Sequence, residues 1–166
     1  MAVSGGRAKL LILGIGNTLL RDDGVGVHVM EALSDQPPDG HRERDLRFRD
    51  GGTLGLALLP DIETADAVIV IDAADIAAEP GTVRSFEGEA MDAQLGGKKR
   101  TAHEVALADL MAAARLLGRQ PVRRALVAIQ PGSTEWGLAP TEAVAAAIPR
   151  ACAAVLSLLD RWDHVR

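Results

Sequence analysis

Apolar and polar positions fall along this chain in blocks of different period, and the periods predict its elements. Leu10–Ile15 is an unbroken aliphatic run, the pattern of a strand covered on both faces. From Val25 the apolar residues Val25, Val29, Met30 and Leu33 recur at helical spacing with Glu31 outside the stripe. A polar loop with Pro37, Pro38 and Gly40 follows, and Leu46–Arg49 alternates apolar with charged, as a half-exposed edge strand does. Asp50–Thr53 reads as a turn and Leu54–Leu59 as a short helix closing near Pro60. Ala67–Ile71 is a second strand buried on both faces, ending at Asp72. Pro80-Gly81 leads into a strand at Thr82–Phe86, and the mixed, glycine-containing stretch 87–101 reads as a mobile loop. Glu104–Leu117 is a helix stopped by Gly118, Arg124–Ile129 a strand and Gln130–Ala139 a loop. Pro140 opens a last helix reaching Trp162, which Pro149 should kink or split. The order βαβαββαβα predicts an α/β fold. It is a three-layer α/β/α sandwich on a mostly parallel, twisted sheet of about five strands, with helices on both faces.

Composition narrows the partners. The 166 residues suit one domain, spanning 1–166, with 48% hydrophobic and 25% charged residues. Aromatic residues make up only 2%, so the core is built of small aliphatics and bases find little to stack on. A net charge of −5 also speaks against a nucleic-acid partner; Lys98, Lys99 and Arg100, and Arg123 and Arg124, read as solvated patches. The lone cysteine, Cys152, excludes an internal disulfide and reads as a small buried hydrophobe, in keeping with a reducing compartment. The opening MAVSGGRAKL lacks an apolar core for export, and no apolar run approaches the roughly 18 residues of a membrane span. The expectation is a cytoplasmic protein without a membrane partner.

The chemistry is expected where loops leave the carboxyl ends of the strands, the edge on which open α/β sheets build sites. Asp23 follows the first strand, Asp72 ends the Ala67–Ile71 strand, and His103 stands just ahead of a helix. Two carboxylates and one imidazole suit a borderline divalent metal, with other positions left for water or a second molecule. Each residue also has a plainer role. Either acid of the Asp22-Asp23 pair can cap the following helix, and we assign capping to Asp22 and ligation to Asp23. Asp72 can be a turn residue, and His103 a surface or capping histidine. His28, His41 and His164 lack comparable surroundings and read as surface residues. Gly14-x-Gly16 is a weak dinucleotide signal: the third glycine position holds Leu19, and acids at 22 and 23 would repel a pyrophosphate.

The combination becomes specific when read along the chain. Gly14-Ile15-Gly16-Asn17 with Leu20, Asp22-Asp23-Gly24 and Gly26-Val27 comes first. Asp50-Gly51-Gly52-Thr53-x-Gly55, Ile71-Asp72-Ala73, His103 and Gly137-Leu138-Ala139-Pro140 follow. In that order these residues resemble the maturation endopeptidases of nickel-iron hydrogenases. The resemblance implies an endopeptidase that removes a C-terminal extension from the hydrogenase large-subunit precursor once nickel is in place. The family's metal contacts match Asp23, Asp72 and His103, which would serve both as ligands and as catalytic residues. Nickel would be brought by the precursor rather than held as a permanent cofactor. Asn17, Gly51, Gly52 and Thr53 are the expected substrate-binding residues. Some members carry Glu at the Asp23 position and Ser at the Thr101 position, and Gln130-Pro131 departs from the commoner Ile-Pro. Because a ligating imidazole must be neutral, nickel engagement is expected to weaken as pH falls through about 6.5. The rival readings are a nucleotide- or small-molecule-binding α/β module, a peptidyl-tRNA-hydrolase-like hydrolase and a catalytically silent nickel sensor. The second shares the strand and Gly-x-Gly-Asn but needs a His-Asn pair where this loop reads Arg21-Asp22-Asp23.

Overall fold

In the computed structural model, which describes residues 7–40, 44–98 and 101–164, the aliphatic runs become the centre of a five-stranded sheet. β1 (Ala8–Ile15) and β3 (Ala67–Ala73) lie side by side, flanked by β2 (Arg44–Gly52) at one edge and by β5 (Arg123–Ile129) and β4 (Val83–Glu87) at the other. The strand order is β2-β1-β3-β5-β4; the first four are parallel and β4 runs antiparallel to β5. Both central strands are shut off from water on both sides, which is why their sequences show no alternation. The half-exposed strand expected at Leu46–Arg49 is the edge strand β2, longer than its alternating core.

Helices cover both faces, as the expected three-layer arrangement requires. α1 (Val25–Asp35) and α6 (Ile148–His164) pack on one face through Val25, Val29, Leu33, Val155 and Leu158, over the β1 and β3 side chains Leu10, Ile12, Ile69 and Ile71. On the other face, α2 (Leu59–Glu63), α3 (Glu89–Gly96) and α4 (Ala102–Leu116) place Ile62, Met91, Leu107 and Leu110 over Leu11, Leu13, Val68 and Val70.

Several expectations need correcting. The stretch 87–101 is not simply a loop: it contains α3, anchored by the fully buried Met91 and by Asp92, which accepts two hydrogen bonds from the Arg124 guanidinium. Arg124 is therefore not part of a merely solvated patch. Pro60 does not close the 54–59 helix. A 3-10 turn at Gly55–Leu58 runs into α2, and Pro60 sits at its start, where a missing N–H costs nothing. The last helix is split, as Pro149 allowed, into α5 (Glu142–Ala145) and α6, with Pro149 in the first turn of α6. Contrary to the expectation of no membrane-length run, the stretch Glu142–Asp163 is apolar enough by composition, with a mean hydropathy of 1.6. Here Val144, Ala147, Ala151, Val155 and Trp162 put its apolar side into the core. Cys152 is half-buried, and His28 is half-buried with Nδ1 3.7 Å from Glu31. His41, Lys99, Arg100 and the His164 side chain lie outside the described residues.

Candidate active site

The chain leaves β1 for α1 on one face of the sheet and returns from β2 to β3 through α2 on the other. The carboxyl ends of β1 and β3 therefore frame the crevice at which open α/β sheets bind ligands. Two close approaches shape that crevice. A side chain on Gly26 would put its Cβ 2.1 Å from the Ile71 carbonyl oxygen, so glycine lets α1 lie directly on the strands. Gly16, with φ of 126°, turns the chain where a Cβ would sit 1.9 Å from the Asp23 carbonyl oxygen. Its N–H donates to the Gly52 carbonyl, tying the first loop to the end of β2.

Into this crevice the fold brings Asp23, Asp72 and His103, which are separated by up to 80 residues and are only 4%, 2% and 6% exposed. Asp23 sits on a 3-10 turn (Arg21–Gly24) and Asp72 near the end of β3. His103 stands inside the first turn of α4, not ahead of it. Thr101 and Glu104 form a capping box there: the Thr101 hydroxyl accepts from the Glu104 N–H and the Glu104 carboxylate from the Thr101 N–H. This box fixes the turn that presents His103, and its Thr-x-x-Glu signature was readable in the sequence.

The imidazole lies between the two carboxylates. Nε2 is 2.7 Å from Asp23 Oδ1 and Nδ1 is 3.2 Å from Asp72 Oδ2. Burial opposes charge on the ring, but the hydrogen bonds and charges of Asp23 and Asp72 outweigh it and raise His103 to about 10. Burial pushes Asp72 up to about 6, against the pull of His103 and with the help of the Asp23 and Glu104 charges. At neutral pH the cluster is thus an imidazolium held between two acids. Among the described residues, no three such side chains already surround one point as a finished metal site.

The cluster still suits a divalent ion on two counts. Ligands at right angles, each about 2.1 Å from an ion, lie ~3 Å apart, close to the 2.7 Å between His103 and Asp23. An ion can therefore replace the proton they share. Asp72 Oδ1 is buried with no hydrogen-bond partner, an acceptor still to be satisfied. Because Asp72 holds the opposite ring nitrogen, gathering all three residues on one ion requires the imidazole to release it.

The remaining expected residues divide. Gly52 and Thr53 line a narrow cleft with His103, Ile15 and Leu58. Gly51 is buried beneath it, where a Cβ would meet Ile15, Leu13 and Leu58 within 3.0 Å. Asn17 gives its N–H to Asp23 Oδ2, and its side-chain oxygen accepts from the Leu19 N–H, so it orders the loop around Asp23.

Asp22 is not the helix cap. Gly24 occupies that position, and Asp22, fully buried, reaches across the molecule. Its carboxylate accepts from the N–H groups of Gly132, Ser133 and Thr141 and from the Thr141 hydroxyl, at 2.6 to 2.9 Å. Burial works against its charge, yet these bonds hold Asp22 below the ordinary carboxylate range. Gln130 is equally local in its work: its side-chain oxygen accepts from the Ile76 N–H at 2.8 Å.

Comparison with known proteins agrees with this fold. The HycI hydrogenase maturation protease family matches residues 27–158, a range that includes Asp72 and His103 and begins after Asp23. The hydrogenase expression/formation protein HupD of Rhodobacter capsulatus is 37% identical over 155 residues, covering 93% of this chain and 72% of that protein. The hydrogenase 2 maturation protease of Escherichia coli K12 is 36% identical over 154 residues, covering 91% of this chain and 90% of that protein. Among solved structures, the hydrogenase maturating endopeptidase HybD of E. coli superposes with a TM-score of 0.83 at 35% identity, covering 92% of this chain and 93% of that one. The maturation protease HybD of Thermococcus kodakarensis gives 0.70 at 26% identity, covering 90% and 98%.

Proposed function

The chain belongs to the hydrogenase maturation protease family, and from that premise we propose that it cuts the C-terminal extension from a nickel-iron hydrogenase large-subunit precursor after nickel insertion. Its activity is that of an endopeptidase, which decides against a nucleotide-binding module, a peptidyl-tRNA-hydrolase-like enzyme and a silent sensor. The proposal adds the client, the cut and the role of nickel. The observation that carries it is the meeting of Asp23, Asp72 and His103 at the sheet's switch point.

In this reading nickel arrives as part of the substrate. Asp23 and His103 open toward it by giving up their shared proton, and Asp72 supplies its unsatisfied oxygen. Engagement of the ion fixes the tail relative to these side chains, an effect of orientation, and makes cutting conditional on a filled hydrogenase centre. Either carboxylate, once freed from the imidazole, can take a proton from the attacking water. Gly52, bare of a side chain, borders the narrow cleft beside His103. A single unbridged cysteine fits a cytoplasmic setting for the reaction.

The test is replacement of each ligand. Asp23→Ala, Asp72→Ala and His103→Ala should each remain folded and lose conversion of the nickel-loaded precursor to its shortened form on denaturing gels. Normal conversion by all three would show that the reacting centre lies elsewhere.

A further inference from the structure

The two acids and the histidine carry the proposed chemistry but leave unexplained the apolar side chains exposed on segments tied to them. Six large apolar side chains stand exposed in two groups: Leu19, Trp136 and Leu138, and Leu54, Leu56 and Val105. Each group is tied to the element that carries one member of the Asp23–His103 pair. In the first, the Gly137 N–H donates to the Leu19 carbonyl and the Arg21 N–H to the Gly137 carbonyl, joining the 133–139 loop to the turn that holds Asp23. In the second, Leu54 and Leu56 flank Gly55, whose Cβ position lies 3.1 Å from Ala106 of α4, and Val105 lies two residues after His103 on that helix. Asp23 and His103 are 2.7 Å apart, so the segments that bear the two groups converge on that pair.

The aromatic inventory makes the first group unusual. The chain has two tryptophans and two phenylalanines; Trp162 is buried, Phe48 and Phe86 are half-buried, and Trp136 alone is 77% exposed. An exposed indole on a loop tied to the turn that carries Asp23 is suited to contact a bound partner. For an endopeptidase, the molecule that must cross that centre is polypeptide. We propose that these two groups form a binding rim for an extended segment of the precursor, taking apolar side chains on both sides of the bond to be cut. The inference rests on the function proposed above and extends it to what the enzyme recognises besides nickel.

The experiment labels the protein with 5-fluorotryptophan, assigns the Trp136 fluorine resonance with Trp136→Phe, and adds nickel-loaded precursor. In parallel, KM and kcat are measured for Trp136→Ser and for Leu54→Ser/Leu56→Ser. Leu116→Ser serves as a control, since that exposed residue lies at the far end of α4 from His103. The rim predicts that precursor shifts or broadens the Trp136 resonance and spares the buried Trp162. KM should rise about tenfold in both rim variants, as loss of a large buried apolar contact dictates, with kcat, its pH profile and the melting temperature unchanged, and the control should match wild type. Processing with an unmoved Trp136 resonance and unaltered KM would overturn the rim while leaving the proposed function intact. A shifted resonance without any shortened product would keep the rim and overturn the function. Concentration-dependent broadening without precursor, with dimers in sedimentation that Trp136→Ser abolishes, would assign the surface to a second copy and overturn the proposal.

Discussion

At the scale of single residues, the proposed engagement of nickel turns on the proton shared by Asp23 and His103, which the ion would have to displace. A ligating histidine of ordinary acidity sets an expected midpoint near 6.5. Enclosure between Asp23 and Asp72 moves His103 to about 10, so the imidazole still carries its proton throughout the neutral range. Nickel(II) affinity of the isolated protein should therefore rise about tenfold per pH unit between about pH 7 and 9, with one proton released per ion, where an unperturbed histidine would already have levelled off. Calorimetric titration in buffers of different ionisation heat measures both quantities, and a flat affinity over that range would contradict the imidazolium. The slope should steepen below about 6, where Asp72 also takes up a proton. The same shift acts on folding without metal. A raised His103 stabilises the fold fully below its ordinary value, and this contribution is lost as pH climbs through about 10. Asp22 carries a second expectation. Asp22→Asn turns an amide toward N–H donors and should cost about 2–3 kcal/mol in urea unfolding, more than the loss of a helix cap, while nickel binding persists. The acid pair was legible as two acids; its division of labour was not. The partners of Asp22 lie more than 100 residues away, beyond anything local spacing encodes.

At the scale of elements, the long runs and the glycine spacings were readable because their causes are local. Two adjacent strands buried on both faces must be unbroken aliphatic runs, and α1 must carry an apolar stripe to sit on them. α3 was unreadable for the opposite reason. Glu89–Gly96 offers Met91 and Leu95 as its only large apolar residues, and the Asp92–Arg124 pair that fastens it to β5 is a tertiary contact. The placement of α1 is testable through Gly26. Gly26→Ala should cost more than about 3 kcal/mol or prevent folding, because backbone on both sides leaves the methyl group nowhere to go; a soluble variant of unchanged melting temperature would show that α1 is not so closely seated. The capping box at α4 makes a subtler prediction. Thr101→Ala should lower stability by about 1 kcal/mol and slow processing, and Thr101→Ser should restore both, since the hydroxyl rather than the methyl group fixes the turn bearing His103.

At the scale of the whole molecule, every device serves one edge of the sheet. Crossovers on opposite faces open the crevice between β1 and β3, glycines at 14, 16 and 26 let the first loop and helix close over it, and α4 delivers the imidazole from the other layer. Asp22 ties the 132–141 segment, which carries Trp136, to the turn that holds Asp23. The central claim is that cutting depends on nickel already held by the substrate. It is tested most directly by incubating the protein with nickel-loaded and nickel-free large-subunit precursor and weighing the products by mass spectrometry. The account predicts loss of a C-terminal peptide from the loaded precursor alone; equal trimming of both forms, or of neither, would contradict it.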